Sequence, residues 1–220
     1  MEKKSRKSRL PKKKISKLME HFVAGTTART AASLVEVNRN TATNFYRRWR
    51  EMIAKNIEDL SVFDGEVEAD ESYFGGRRKG KRGRGAAGKV PVFGLLKRKG
   101  RVYTTVIKDT KSSTLMPIIN KKIVPDSIVY TDTYRSYNAL DVSNFHHERI
   151  NHSTLFADKQ NHINGIENFW NQAKRHLRKF NGGVPKSNFY YFIKECEWRF
   201  NFGSPQKLLK TLKGWAKSNV

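Results

Sequence analysis

The sequence predicts an α/β protein in which a mixed central sheet domain follows a small all-α head. Three observations carry that prediction. Apolar residues recur at helical spacing through the first 56 residues. Beyond them, short apolar runs and helical stretches follow the order three strands, helix, strand, helix, strand, which suits a mixed sheet. Finally, 37% hydrophobic and 11% aromatic residues in a chain of 220 supply enough material for a packed core. That length holds about one ordinary domain and a small one, and the pattern divides it into 1–56 and 57–220.

In the head, Ile15, Leu18, Met19, Phe22 and Val23 form one helical stripe that stops at Gly25. A second helix, rich in small residues, runs from Thr27 to Val35 and ends at a turn over 36–40. Asn40 or Thr41 is suited to cap a third, which carries Phe45, Tyr46, Trp49, Met52 and Ile53. A short helix, a turn and a longer helix bearing Arg47, Arg48 and Arg50 match a helix-turn-helix whose last helix suits the major groove. Thr41, Thr43 and Asn44 would then reach base edges and the three arginines phosphates. The same residues also suit a three-helix packing module, with Phe45 and Trp49 in its core.

In the body, residues 65–74 read as a strand closed by Gly75 and Gly76. Val90–Lys97 and Val102–Ile107 read as a hairpin with Gly100 in its turn. A helix over 112–123, a strand over 127–132 ending in Asp132, a short helix over 134–140 and a strand near 147–150 come next. Ile166, Phe169, Trp170, Ala173 and Leu177 mark a further helix, and C-terminal helices complete the domain.

Charge narrows the function. Forty-four Lys and Arg against 20 Asp and Glu leave a net charge of +24, which opposes compaction unless a polyanion offsets it, so nucleic acid is the expected partner. The lone Cys196 excludes an internal disulfide and a cysteine-rich zinc site, and fits a reducing compartment. The longest apolar run, 90–96, is far short of the roughly twenty residues that span a membrane. No apolar signal core comes after the basic N-terminus, so neither secretion nor a membrane partner is expected.

The acids are not spread evenly. Seven fall between Glu58 and Glu71, within a stretch (56–76) that has no Lys or Arg, and eleven basic residues occupy 77–101. Such a run suits a solvated linker, yet the absence of Pro and the presence of Val67, Ala69 and Tyr73 suit a strand. Glu66, Glu68 and Asp70 would share one face of it. Three carboxylates there repel unless cations sit between them, which points to hard, oxygen-ligated ions such as Mg²⁺. The basic loop next to it, with Arg77, Arg78, Lys79, Lys81, Arg82 and Arg84, suits contact with a phosphate backbone. Its Gly83, Gly85 and Gly88 satisfy a dinucleotide-binding spacing, but a loop stands on their N-terminal side and a strand on their C-terminal side, which argues against that use. Glu167 and Lys174 lie seven residues apart, about 10 Å along one side of a helix. Taken alone they suit a surface pair too distant to bond.

Taken together, Asp70, Asp132 and Glu167, with 61 and 34 residues between them, are more specific. The stretches around them (Ala69-Asp70-Glu71-Ser72-Tyr73-Phe74, Tyr130-Thr131-Asp132-Thr133-Tyr134-Arg135 and 162–174) resemble the DDE transposases of bacterial insertion sequences. The likeness is to the ISXO2-like catalytic domain of the fifteen-ninety-five family and spans about 60–205. The resemblance implies a ribonuclease-H-like fold and a catalytic, metal-binding set of Asp70, Asp132 and Glu167. Two Mg²⁺ or Mn²⁺ ions are implied, with Asp70 between them, and Lys174 is the basic residue that comes after the third acid. Asn164 and His162 are the neighbours to which the third ligand would otherwise fall. Glu68 and Glu71 inherit no role, and His146, His147, His152 and His162 suit phosphate or core contacts better than metal. Relatives with a cysteine-based zinc ribbon differ from this chain, which has one Cys.

The activity so implied is recognition of terminal inverted repeats, cleavage to expose 3′-hydroxyls and joining to target DNA by two-metal phosphoryl transfer. Double-stranded DNA is then the partner, bound by at least a dimer. Arg175, Arg178 and Lys179 count with the DNA-binding residues, and the expected location is the bacterial cytoplasm, on the nucleoid. A non-catalytic DNA-binding regulator and a nuclease without strand transfer are the alternatives.

Overall fold

The computed structural model describes residues 10–58, 62–75, 88–132, 135–142, 144–150, 163–180 and 183–218. Contacts divide the chain into Met1–Met52 with Ser204–Val220, and Ile53–Gly203.

The first unit holds α1 (Lys12–Val23), α2 (Ala28–Val35), most of α3 (Arg39–Ile57) and α7 (Pro205–Ser218). Leu18, Met19, Phe22 and Val23 of α1 are buried as their spacing predicts. Phe22 meets Tyr46 edge-on at 5.0 Å and Trp49 at 5.5 Å. Thr27 caps α2 by accepting from the Thr30 N–H at 3.2 Å, and Glu36 closes it in the left-handed conformation at φ 53°. α3 starts earlier than the sequence suggested. Asn38 Oδ1 accepts from the Asn40 N–H at 2.8 Å, so Asn38, not Asn40 or Thr41, is the capping side chain. The C-terminal helix, assigned from sequence to the catalytic domain, groups with the head, where α7 packs on α1. Its Leu208 and Leu212 are buried. A helical stripe shows that a face is covered but not by what.

The second unit is built on a five-stranded sheet of β1 (Glu66–Phe74), β2 (Val90–Lys97), β3 (Val102–Val106), β4 (Ile128–Asp132) and β5 (His146–Ile150), in the order β3-β2-β1-β4-β5. β1, β2 and β3 pair antiparallel, whereas β4 runs parallel to both β1 and β5. Parallel pairing needs a crossover, supplied by α4 (Ser112–Lys122) between β3 and β4 and by a 3₁₀ segment (Arg135–Val142) between β4 and β5. The order and directions are ribonuclease-H-like. α5 (Asn164–Leu177) and α6 (Phe189–Phe202) cover one face, where Val92, Leu96, Ile166, Phe169, Trp170 and Ile193 cluster. α4 and the 3₁₀ segment cover the other, over Val67, Ala69, Phe93, Leu95, Leu115 and Leu140.

In the β2–β3 turn, Lys99 rather than Gly100 takes the left-handed position, at φ 58°. β3 is an edge strand, and an open edge must be satisfied by something. Asn201 of α6 bonds both the N–H and the C=O of Val102 at 2.8 Å. Glu197 accepts from the Thr104 N–H at 2.8 Å and hydroxyl at 2.7 Å, and from Lys194 Nζ at 3.0 Å. Both charged residues are wholly buried, with the Lys194 ammonium 4.4 Å from the Tyr103 ring centroid.

Candidate active site

β1 alternates between two environments. Val67 and Ala69 point into the α4 side of the sheet, while Glu68 and Asp70 face α5. Asp132 ends β4, beside β1, and Glu167 lies in the first turn of α5. The fold thereby brings residues from three distant stretches to one cleft of ≈ 420 Å³. Asp70, Glu71, Ser72, Asp132, Ile163, Glu167, Trp170, Asn171 and Lys174 line it. Glu167 and Lys174 are exposed, and Asp70 and Asp132 half-buried.

Asp70 is the perturbed member. Trp170 Nε1 donates to its Oδ2 at 2.9 Å. Burial, then the charges of Glu71 and Asp132, push its carboxyl up to about 7, against the opposing pull of the Glu71 backbone and Trp170 hydrogen bonds. The indole reaches Asp70 because the residue opposite it on β2 is Gly94; a Cβ there would lie 2.6 Å from Trp170 Cζ2.

The other acids of β1 have structural partners. Glu68 is buried and accepts from the Ile166 N–H at 2.8 Å, and Glu71, on the opposite face, accepts from the Tyr137 hydroxyl at 2.6 Å. His147 Nε2 lies 2.8 Å from Thr131 Oγ1, while His152 and His162 lie outside the described residues. Asn164 is exposed at the start of α5.

Asp70, Asp132 and Glu167 each offer hard oxygen donors to the cleft, so the donor chemistry fits Mg²⁺ or Mn²⁺. The acids share the cleft without closing on one point. Among the described residues no three His, Cys, Asp or Glu side chains already form a ligand cluster.

Of the residues expected on DNA, Thr43, Asn44, Arg47 and Arg48 are exposed on α3, Arg47 beside Glu51 at 3.6 Å, and Thr41 is half-buried. Arg50 differs from expectation. It is buried, 7% exposed, with its guanidinium 5.5 Å from the Phe22 ring centroid and 5.9 Å from that of Tyr46. Its place four residues after Tyr46 puts it on the apolar side of the helix, where cation–π contact replaces water. Arg175 and Arg178 are exposed, and Lys179 Nζ lies 3.0 Å from His176 Nε2. Arg77, Arg78, Lys79, Lys81, Arg82 and Arg84 lie outside the described residues.

Three features of the site escaped the sequence: the Trp170 bond to Asp70, the Gly94 opening and the Glu68 contact with α5. Gly94 left the one usable signal, a glycine inside a strand, which marks close approach of another group.

Residues 62–201 match the family model of the ISXO2-like transposase domain. An uncharacterized transposase-like protein of Haemophilus influenzae is 57% identical over 122 residues, which covers 56% of this chain and 98% of that relative. Among solved structures, the Mos1 strand transfer complex aligns at a TM-score of 0.31 and 13% identity, over 99% of this chain and 81% of that one. The Mos1 mariner paired end complex with Mn aligns at 0.29 and 13%, over 100% and 81%. Likeness that low says nothing about the chemistry of this chain. Among the described residues no helix is long and apolar enough to cross a membrane.

Proposed function

The chain belongs to the ISXO2-like transposase family, and on that premise we propose that it cleaves the ends of a transposable element and joins them to target DNA by metal-dependent phosphoryl transfer. The observation that carries the reading is the convergence of Asp70, Asp132, Glu167 and Lys174 on one cleft. Asp70, Asp132 and Glu167 would hold Mg²⁺ or Mn²⁺. Bound there, two such ions would activate the attacking water or 3′-hydroxyl and stabilise the leaving oxygen.

The chain's own residues supply the rest. Asp70 must be ionised to serve, and the Trp170 N–H favours that form while fixing the direction of the carboxylate. Lys174, exposed at the rim two turns beyond Glu167, is set to bind a phosphate that flanks the scissile one and to oppose negative charge as it builds. The exposed Thr43, Asn44, Arg47 and Arg48 of α3 support a repeat-reading role for the head as a helix-turn-helix. Arg175 and Arg178 extend the basic ground near the cleft. Acting on two ends together would take at least two copies.

The test is cleavage of duplex DNA carrying the inverted repeats that flank the gene, with Mg²⁺ or Mn²⁺. Wild type is expected to nick the repeat end and form products joined to a second DNA, and Asp132→Ala to bind and do neither. Wild-type cleavage no better than that of Asp132→Ala overturns the assignment, and cleavage without joined products reduces the chain to a nuclease.

A further inference from the structure

Glu68 is a buried carboxylate, 1% exposed, two residues before Asp70 on the same strand face, and the proposed chemistry makes no use of it. From β1 it contacts α5 directly and reaches β4 through Arg98. Oε2 accepts from the N–H of Ile166, the residue before Glu167, at 2.8 Å. Oε1 lies 3.4 Å from Arg98 Nε, and the same guanidinium reaches Glu66 Oε1 at 3.3 Å. Arg98 also lies 3.6 Å over the ring of Tyr130, two residues before Asp132, and the Tyr130 hydroxyl donates to Glu66 Oε1 at 2.8 Å. One cluster thus touches β1, β4 and α5, in each case one or two residues from a ligand.

α5 starts without a side-chain cap of its own. The first N–H groups of a helix have no partner inside it and carry partial positive charge, which a carboxylate both satisfies and stabilises. Glu68 fills that role from another element. Gly165 admits it: a Cβ there would lie 2.9 Å from Glu68 Oε2 and 3.0 Å from Leu96 Cδ2. Gly165 does not have a left-handed backbone, so a residue that weakens helices is used in the first turn of α5 for close approach.

We propose that Glu68, braced by Arg98 and admitted by Gly165, is a positioning residue that sets the first turn of α5 against β1 and so places Glu167 relative to Asp70. The inference rests on the reading of Asp70, Asp132 and Glu167 as the metal-binding set. Groups that orient metal ligands are typically worth about 10–100-fold in affinity.

The experiment measures Mn²⁺ binding to the full chain without DNA, by electron paramagnetic resonance of free Mn²⁺. Hydrogen exchange at the Ile166 amide and the unfolding midpoint are tracked alongside. Glu68→Ala and Gly165→Ala are each expected to weaken Mn²⁺ binding about ten-fold or more and to speed exchange at Ile166. Glu68→Ala/Gly165→Ala is expected to weaken binding by less than the product of the two single effects, because the methyl then meets Leu96 but has no carboxylate to displace. A purely structural role would lower the midpoint and leave Mn²⁺ affinity at the wild-type value, which overturns the proposal. Should Glu68→Ala not fold, Glu68→Gln, which loses the charge facing Arg98, makes the same comparison with Gly165→Ala. Asp132→Ala and Glu167→Gln separate the two levels: wild-type Mn²⁺ affinity in both sinks the metal-site reading, whereas weak binding in both with wild-type affinity in folded Glu68 and Gly165 variants sinks only the positioning role.

Discussion

Gly94→Ala tests whether the Trp170 indole is seated on the sheet against Asp70. The new Cβ would lie 2.6 Å from Trp170 Cζ2, 2.8 Å from Cη2 and 3.0 Å from Ile166 Cδ1, about an ångström inside ordinary contact for the indole atoms. Retreat is obstructed, because the indole is 3% exposed and ringed by Phe169 at 4.9 Å and Phe74 at 6.0 Å. A shift of about an ångström would stretch the 2.9 Å bond to Asp70 beyond hydrogen-bond range. Overpacking costs about 1–3 kcal/mol, and loss of a hydrogen bond to a charged acceptor about 1.5–3 kcal/mol. The lower backbone entropy of Ala in the unfolded chain returns about 0.4–1 kcal/mol. The net loss is roughly 2–4 kcal/mol, a fall in the thermal midpoint on the order of 5–15 °C for a unit of this size. The assay is thermal unfolding by near-ultraviolet circular dichroism, with Gly94→Ala/Trp170→Phe as a partner variant, since the smaller ring gives the methyl room. A midpoint for Gly94→Ala within experimental error of wild type would refute the argument, as would strict additivity in the double variant.

Asp70 is expected to destabilise the metal-free protein. Its carboxyl is raised from 3.8 to about 7 in the folded state, so the folded chain holds the proton more tightly, and stability falls as pH rises from about 4 to 7 and stays reduced above that. Asp70→Asn should therefore raise the metal-free unfolding midpoint at pH 8 and change it little near pH 4; an equal or lower midpoint at pH 8 contradicts this. Lys194→Met leaves the Glu197 carboxylate buried without its cation, which costs about 3–5 kcal/mol in urea unfolding, and a loss below about 1 kcal/mol would show that the Thr104 bonds suffice. In the head, Arg48→Ala should flatten the salt dependence of repeat binding by about one ion. Arg50→Ala, with its guanidinium over Phe22 and Tyr46, should instead lower the thermal stability of the head, and an equal flattening without that loss would place Arg50 on phosphate.

The range of the forces involved decides which features could be foreseen. The five strands, and the helices flanking them, lie where period-two and period-3.6 apolar runs meet Gly, Pro and Asp, since those signals are local. Asp70, Asp132 and Glu167 were visible through the residues beside them, and the fold supplied only their convergence. Charge was the unreliable guide. Nothing local in the sequence marks Lys194 and Glu197 as buried; the edge of β3 needs an acceptor there and Tyr103 offers the ammonium an aromatic face. Arg50, expected on phosphate, is buried instead, though its helical phase with Tyr46 was available. Glu68 could not be resolved at all, because its partners stand 30 and 98 residues away.

The grouping of α7 with the N-terminal helices bears on the order in which the protein matures. During synthesis, domains generally fold as units from the N-terminal side as they emerge. Here Ile53–Gly203 leaves the ribosome entire before the helix that completes the first unit. The strands that carry the acids can assemble while α1, α2 and α3 still await their last packing partner. The cleft that gathers the acids is thus encoded ahead of the helix that completes the head, and a chain cut short before α7 would carry the whole of the second unit with its first unit incomplete.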